Sequence, residues 1–313
     1  MTIKPNCWSE HGELKTVVVT APSVWNIPNQ QTATDVQWEK PVDRKKAYKN
    51  HEKMVRAMEK AGVKVIDYAD YLPKESRDLN EKLLNRYFVR DLACVFGETV
   101  LPGVAGTSMR KPEYVQAHQL MKNWFEEDVF LYEGASQKHP IEFGDVLILN
   151  RDAVFINVGM RTSIESVEHR KQAIFDAGFS EIGMIDLPRR ADTLHLDMNC
   201  NMVGGDILLA KSYMRYLPVQ IVTREGKQYM MIHDFLARHK IEVMYTSSVN
   251  NTVADINFLN LDPETLLVST QANQKIFSKE LNLKKKQVIK IDVEELEKGG
   301  GGIRCMTLPL IRS

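Results

Sequence analysis

The sequence predicts an α/β fold in which one strand, strand, helix, strand unit is used five times, propeller-like, with a pseudo-fivefold repeat. Three observations lead there. Short apolar runs come in pairs separated by turn residues. Each pair is followed by an amphipathic stretch at helical spacing and then by a returning apolar run. No linker-like shift in composition interrupts residues 1–313, so a single domain is expected. The ordinary alternative is a doubly wound sheet, but neither GxGxxG nor GxxxxGK[ST] occurs in the chain.

The units follow in order. In the first, residues 16–20 (TVVVT) read as a strand, 43–61 as a helix with Met54, Val55 and Met58 on one side and Gly62 at its end, and 63–67 as the returning strand. The second has strands at 87–96 and 99–101, Pro112 near a helix N-terminus, a helix running to 125, and a return at 129–132. In the third, 146–150 and 154–158 flank the turn pair Arg151-Asp152, Ser163 caps a helix that ends at Gly178, and 181–185 returns. The fourth places strands at 194–203 and 207–210 around Gly204-Gly205, a helix at about 229–239, and a strand at 242–245. The fifth has strands at 257–261 and 266–269, a short helix near 276–281, and a return at 287–291. A final strand at 305–310 closes the set.

Composition excludes several function classes. Lys+Arg and Asp+Glu balance at 41 each, which leaves no net field to hold nucleic acid or an anionic membrane. The one basic block, Lys284-Lys285-Lys286, reads as a solvated turn. The N-terminal residues lack the apolar core of a signal peptide, and no run reaches membrane-spanning length, so a cytoplasmic protein is expected. Cys7, Cys94, Cys200 and Cys305 are widely spaced without a CxxC pair, as suits reduced thiols. With no HExxH, and His195-Leu196-Asp197 unsupported by further ligands, neither metal nor cofactor is expected. A homo-oligomer is compatible with this composition.

Chemistry concentrates where four glycines, 299–302, lead into Arg304 and Cys305. Such a run suits a sharp turn or a close approach to the backbone, and Cys305 is the candidate nucleophile. Elsewhere, polar residues recur at the start of leading strands: Asp91 beside Arg90 in the second unit, Glu142 and Asp145 in the third, His195 and Asp197 in the fourth. Singly, each is ordinary, because a strand-end Asp usually serves a turn and a His on an apolar strand is usually a satisfied core residue. At one corner of three units, they converge on the axis with the thiol. A thiol among carboxylates ionises only if a cation compensates, and a planar guanidinium matches paired carboxylates through bidentate hydrogen bonds.

The ordered motifs NRYFVRD (85–91), IEFGDV (141–146), GMRTS (159–163), LHLDM (194–198) and GGGGIRCM (299–306) carry a family resemblance. The chain resembles the guanidine-modifying enzymes of the amidinotransferase and arginine deiminase superfamily, and arginine deiminase most closely. The resemblance implies the five-bladed pentein fold and a catalytic domain that acts without a cofactor on a small guanidino substrate. It implies that Cys305 attacks the guanidino carbon, that His195 protonates the leaving nitrogen and then activates water, and that Glu142 orients His195. Asp91 and Asp197 would grip the guanidinium, Asn85 and Arg161 the α-carboxylate, and Arg110 would serve as a second carboxylate clamp. Asp145 is placed among the substrate-binding residues, with a structural role as its other reading. The implied reaction is hydrolysis of a C–N bond of arginine or a close derivative, giving a ureido product and ammonia or an amine. An amidinotransferase, a dimethylarginine-type hydrolase and a binding protein on the same scaffold are the alternatives. Glu142, and Arg304 before the cysteine, point away from the transferases. The chain departs from the deiminase pattern in its short stretch at 68–84, at Phe143, at Met198-Asn199-Cys200 and before Arg161.

Overall fold

The computed structural model describes residues 2–132, 139–280 and 286–313. In chain order, β1 (Leu14–Val19) is followed by α1 (Gln30–Asp35), α2 (Arg44–Lys60), β2 (Lys64–Asp67) and α3 (Lys74–Asn80). Then come β3 (Ala93–Phe96), β4 (Thr99–Pro102), α4 (Lys111–Met121), β5 (Val146–Ile148), β6 (Ala153–Asn157), α5 (Ile164–Asp176) and β7 (Glu181–Ile185). The second half holds β8 (Cys200–Val203), β9 (Ile207–Lys211), β10 (Pro218–Val222), β11 (Lys227–Met231), α6 (Ile232–Arg238) and β12 (Glu242–Thr246). Last are α7 (Thr252–Ile256), β13 (Leu259–Asp262), β14 (Thr265–Ser269), β15 (Gln287–Ile291), α8 (Glu294–Glu297) and β16 (Leu308–Arg312).

The strands form five sheets among the described residues, and one pairing rule recurs. Two strands pair antiparallel, the chain crosses over, and the next strand returns parallel to the second. This holds for β5, β6 and β7, for β8, β9 and β12, and for β13, β14 and β15. In the second unit β3 and β4 pair antiparallel and Val100 bridges Phe130 in parallel. In the first, β1 pairs parallel with β2, while its antiparallel partner is β16 from the far end of the chain.

Local chemistry sets the helix ends. Asp43 accepts the Lys46 backbone N–H at the start of α2, and Ser163 accepts that of Ser166 at the start of α5. Packing supplies most of the stability. Met54 and Met58 of α2 join Val17 and Val19 of β1 in one apolar cluster, and Phe235 and Leu236 of α6 join Leu208 and Ala210 in another. Full burial of each large apolar side chain contributes roughly 1.5–3 kcal/mol. No described helix is long and apolar enough to cross a membrane.

Several expected boundaries move. The strands expected at 87–96 and 194–203 begin only at Ala93 and Cys200, because Val89–Leu92 and Leu196–Met198 form 3-10 turns, as does Phe143–Asp145 ahead of β5. In the turns at 143–145 and 196–198 carboxylates take backbone N–H groups that a ladder would otherwise use: Gly144 N–H donates to Asp91 Oδ1 at 2.7 Å, and Leu196 N–H to Asp145 Oδ1 at 3.0 Å. Likewise Cys305 lies in a turn ahead of β16 rather than in a strand. The helix expected from 229 starts at Ile232, since residues 227–231 alternate and pair with β10 as a hairpin that extends the third sheet. The short helix of the fifth unit is a π-turn over Ile276–Glu280; its expected end at 281, and Lys284 and Lys285, lie outside the described residues.

Candidate active site

The three 3-10 turns and the turn carrying Cys305 bring their side chains to one cleft of about 80 Å³, lined by Asp91, Glu142, His195 and Cys305 together with Asn85, Arg110 and Arg161. All four acid, imidazole and thiol groups are buried. Residues that stand more than 200 positions apart in the sequence therefore share a wall.

The glycine run shapes the cleft. Gly300 adopts φ +94°, and a Cβ on Gly301 would lie 2.5 Å from the Phe88 ring. Beyond it the Cys305 backbone is held on both sides, its N–H donating to Asn257 Oδ1 at 2.9 Å and its carbonyl accepting from Arg90 N–H at 3.1 Å. The Sγ lies 3.5 Å from Asp197 Oδ2, which also accepts from Arg304 Nη1 at 2.8 Å. The other oxygen, Asp197 Oδ1, is buried without a hydrogen-bond partner among the described residues. Burial, then the charges of Asp197 and Asp91, push the Cys305 thiol well above its ordinary range, and Arg304 and Asn257 offset this only in part.

His195 has the opposite bias. Its Nε2 lies 2.9 Å from Glu142 Oε2, and its Nδ1 4.0 Å from Asp91 Oδ1. Burial disfavours the imidazolium, but Asp91, the Glu142 hydrogen bond and Asp145 overcome it and raise the group to about 10. For Glu142, burial opposes ionisation and is outweighed by the hydrogen bond from His195 and by Arg110, so its carboxyl falls to about 2. The Glu142 Oε1 accepts from Gly106 N–H at 2.8 Å and stands 3.4 Å from Arg161 Nη1. At rest the cleft therefore holds a neutral thiol beside an imidazolium–carboxylate pair.

Close packing leaves no room beside the imidazole: a Cβ on Gly144 would sit 2.5 Å from His195 Nδ1 and 3.0 Å from Asp91 Oδ1. Gly144→Ala is accordingly expected to displace the ring and lower kcat about 100-fold, with an unchanged circular dichroism spectrum as the check on folding.

Among the remaining sequence candidates, Asn85 and Arg161 line the cleft. Arg110 departs from expectation. Its guanidinium turns inward, with Nη1 donating to Asp91 Oδ2 at 2.6 Å, Nε to Glu113 Oε2 at 3.0 Å and Nη2 to the Phe88 carbonyl at 2.9 Å. It is a counter-ion of Asp91 rather than an open clamp, because a buried carboxylate at the cleft needs a fixed cation. Asp145 lies outside the lining and ties Asn157 Nδ2 (2.7 Å) to the Leu196 N–H (3.0 Å), which is a framework role; burial raises its carboxyl to about 7.

Sequence reasoning missed Asn257, Glu10 and the inward role of Arg304. Asn257 stands at the start of the fifth unit, the corner that carries polar residues in the others, so the repeat itself was the signal. Glu10 accepts from Arg304 Nη2 at 2.9 Å and Nε at 3.2 Å, and nothing local in the sequence marks it. Oxygen and nitrogen atoms of Asp91, Glu142 and His195 lie within 4.8 Å of one another, close enough to gather around a cation. Arg110 Nη1, 2.6 Å from Asp91 and 3.9 Å from Glu142, already supplies that charge.

The arrangement has relatives. The uncharacterized protein YkgA of Bacillus subtilis is 24% identical over 99% of this chain and 96% of its own length. The arginine deiminase of Listeria welshimeri is 24% identical, covering 84% of this chain and 72% of that protein. In structure the chain resembles a Pseudomonas aeruginosa dimethylarginine dimethylaminohydrolase, in a mutant complexed with citrulline, with a TM-score of 0.67 at 17% identity over 95% of this chain and 99% of that one. The two share an α/β fold. The family model for arginine deiminase matches residues 67–312, from the end of β2 to the end of β16, and the chain belongs to the arginine deiminase family.

Proposed function

We propose that the chain is a cysteine-dependent hydrolase of a guanidino C–N bond, acting on arginine or a close derivative, in one domain whose five sheets are the blades of a closed ring. The observation that carries this reading is the shared cleft of Cys305, His195, Glu142 and Asp91, with Asp197 Oδ2 3.5 Å from the sulfur and its Oδ1 without a hydrogen-bond partner among the described residues. The free thiols support a reducing, cytoplasmic location.

The chemistry follows from the charges. A substrate guanidinium entering between Asp91 and Asp197 supplies the cation that the thiol lacks, and Cys305 loses its proton to bulk water. The thiolate forms an S–C bond to the guanidino carbon. As one C–N bond breaks, the His195 imidazolium gives its proton to the departing nitrogen, which leaves as ammonia or an amine. His195, now neutral and held by Glu142, takes a proton from water. The hydroxide adds to the amidino carbon, the C–S bond breaks, the added oxygen loses its proton to bulk water, and a ureido product leaves with the thiolate restored.

Incubation with arginine, methylated arginines, agmatine and citrulline, with assay of ureido product and released amine, tests the reading. Product formed only when an acceptor amine is added identifies a transferase instead. The resting thiol gives a second check. Inactivation by iodoacetamide without substrate is expected to be slow at pH 7 and to keep accelerating beyond pH 9, because only the thiolate reacts and its population grows toward a raised pKa. A rate that levels off below pH 8 would contradict this.

A further inference from the structure

Independently of the reading above, we propose that a second cavity, behind the nucleophile, is a binding site for one small monovalent anion of halide size, held by the charges of Arg90 and Arg312.

The cavity measures about 20 Å³ and has Cys7, Glu10, Arg90, Cys94 and Arg312 in its wall, where the segment ahead of β1 meets β3 and β16. It shares no lining residue with the active-site cleft. Arg90 is only 5% exposed; its Nε donates to the Arg304 carbonyl at 3.3 Å, and its Nη2 is buried without a hydrogen-bond partner among the described residues. Arg312 is buried too, with Nη1 donating to the Gly12 carbonyl at 2.6 Å and Nη2 to that of Asn260 at 3.0 Å. Carbonyls anchor both guanidiniums but cancel neither charge.

Charge favours an anion over a water molecule. Glu10 is the one carboxylate in the wall, and both its oxygens accept from Arg304, Oε1 from Nη2 at 2.9 Å and Oε2 from Nε at 3.2 Å. Arg304 also pairs with Asp197 at 2.8 Å. Buried Arg90, Arg304 and Arg312 therefore stand against buried Glu10 and Asp197, an excess of one positive charge. Deprotonation does not remove it, since burial and the Arg304 charge lower Arg90 only to about 10. Nor do the thiols balance it: burial pushes Cys7 up to about 12 and raises Cys94 as well, so both stay neutral.

Size and wall chemistry narrow the class of ion. A single water needs roughly 10–15 Å³ of such space, so this cavity takes one particle of about that size or a little larger and excludes sulfate. Val95, Ile148 and Leu308 add apolar surface, and the two sulfurs are polarisable, which suits a weakly hydrated halide. Ser9 and Arg312 are shared with a wider cavity of about 360 Å³, the side from which the ion enters.

Crystals of the full chain grown in sodium bromide test this by anomalous scattering at the bromine edge. A bromide peak against Arg90 Nη2 is expected; no peak there, or a water alone at that point, overturns the proposal. In solution, unfolding midpoints are compared in sodium bromide, sodium chloride and sodium sulfate at one ionic strength. Sulfate ordinarily stabilises most, because it is excluded from protein surfaces. Here both halides are expected to exceed sulfate by about 3 °C or more, since they bind the folded chain and sulfate does not fit. Arg90→Met, which removes the charge, is expected to restore the ordinary order. Sulfate above the halides in the unaltered chain, or a halide gain that survives in Arg90→Met, also overturns the proposal. If that variant does not fold, the bromide map of the unaltered chain decides.

Discussion

Replacing Cys305 by serine is expected to lower kcat by at least about 10⁴-fold while leaving the fold in place. A buried thiol beside Asp197 and Asp91 ionises only with the help of an incoming cation. A hydroxyl, far less acidic, does not ionise even then. His195 cannot take its proton in the resting site, because the imidazole already carries one with Glu142 at 2.9 Å. The backbone bonds to Asn257 and Arg90 are independent of the side chain, so stability should change by no more than about 1 kcal/mol. Ureido product and a urea unfolding curve measured on one preparation check both halves. Full turnover in the serine variant would remove the mechanism.

His195→Ala is expected to cost roughly 10²–10⁴-fold in kcat, because in the proposed reaction one group protonates the leaving nitrogen and then activates water. His195→Gln, which keeps a polar group beside Glu142 but relays no proton at neutral pH, should be equally impaired; activity near that of the unaltered chain would reduce His195 to a structural partner. The pairing also sets a pH window for stability. The His195 pKa is raised from 6.5 to about 10 in the folded chain, so its contribution is complete below 6.5 and is lost as pH rises through about 10. That of Glu142 is depressed from 4.5 to about 2, so its contribution is complete above 4.5 and is lost as pH falls through about 2. The loss of stability at these extremes should shrink in His195→Ala, read from unfolding midpoints across the pH range.

The repeat was legible because the pairs 146–150 and 154–158, and 257–261 and 266–269, carry apolar runs that pair as expected, and Ser163 and Gly178 bracket a helix where they should. Polar residues within apolar runs were legible as converging on one cleft but not as turns: His195 and Asp197 look like strand positions until Gly144 and Leu196 are seen donating to acids of neighbouring units. The hairpin of β10 and β11 was hidden because 229–239 keeps helical spacing through Phe235 and Leu236, and the alternation in 227–231 matters only once Gln220 faces Tyr229. Arg110 and Glu10 were beyond reach for a common reason. An arginine does not disclose in sequence whether its charge faces substrate or a buried acid, and here the partners lie 19 and 294 positions away for the pairs Arg110–Asp91 and Glu10–Arg304.

The pairing of β16 with β1 bears on the order of events during folding. Leu14 faces Arg312 across that sheet, and the sulfur lies just upstream of β16, in the turn that leads into it. Residues 14 and 312 must meet before this sheet is whole, and contacts of such long sequence separation form late and slowly. The turn that carries Cys305 thus runs directly into a strand whose partner lies at the other end of the described chain.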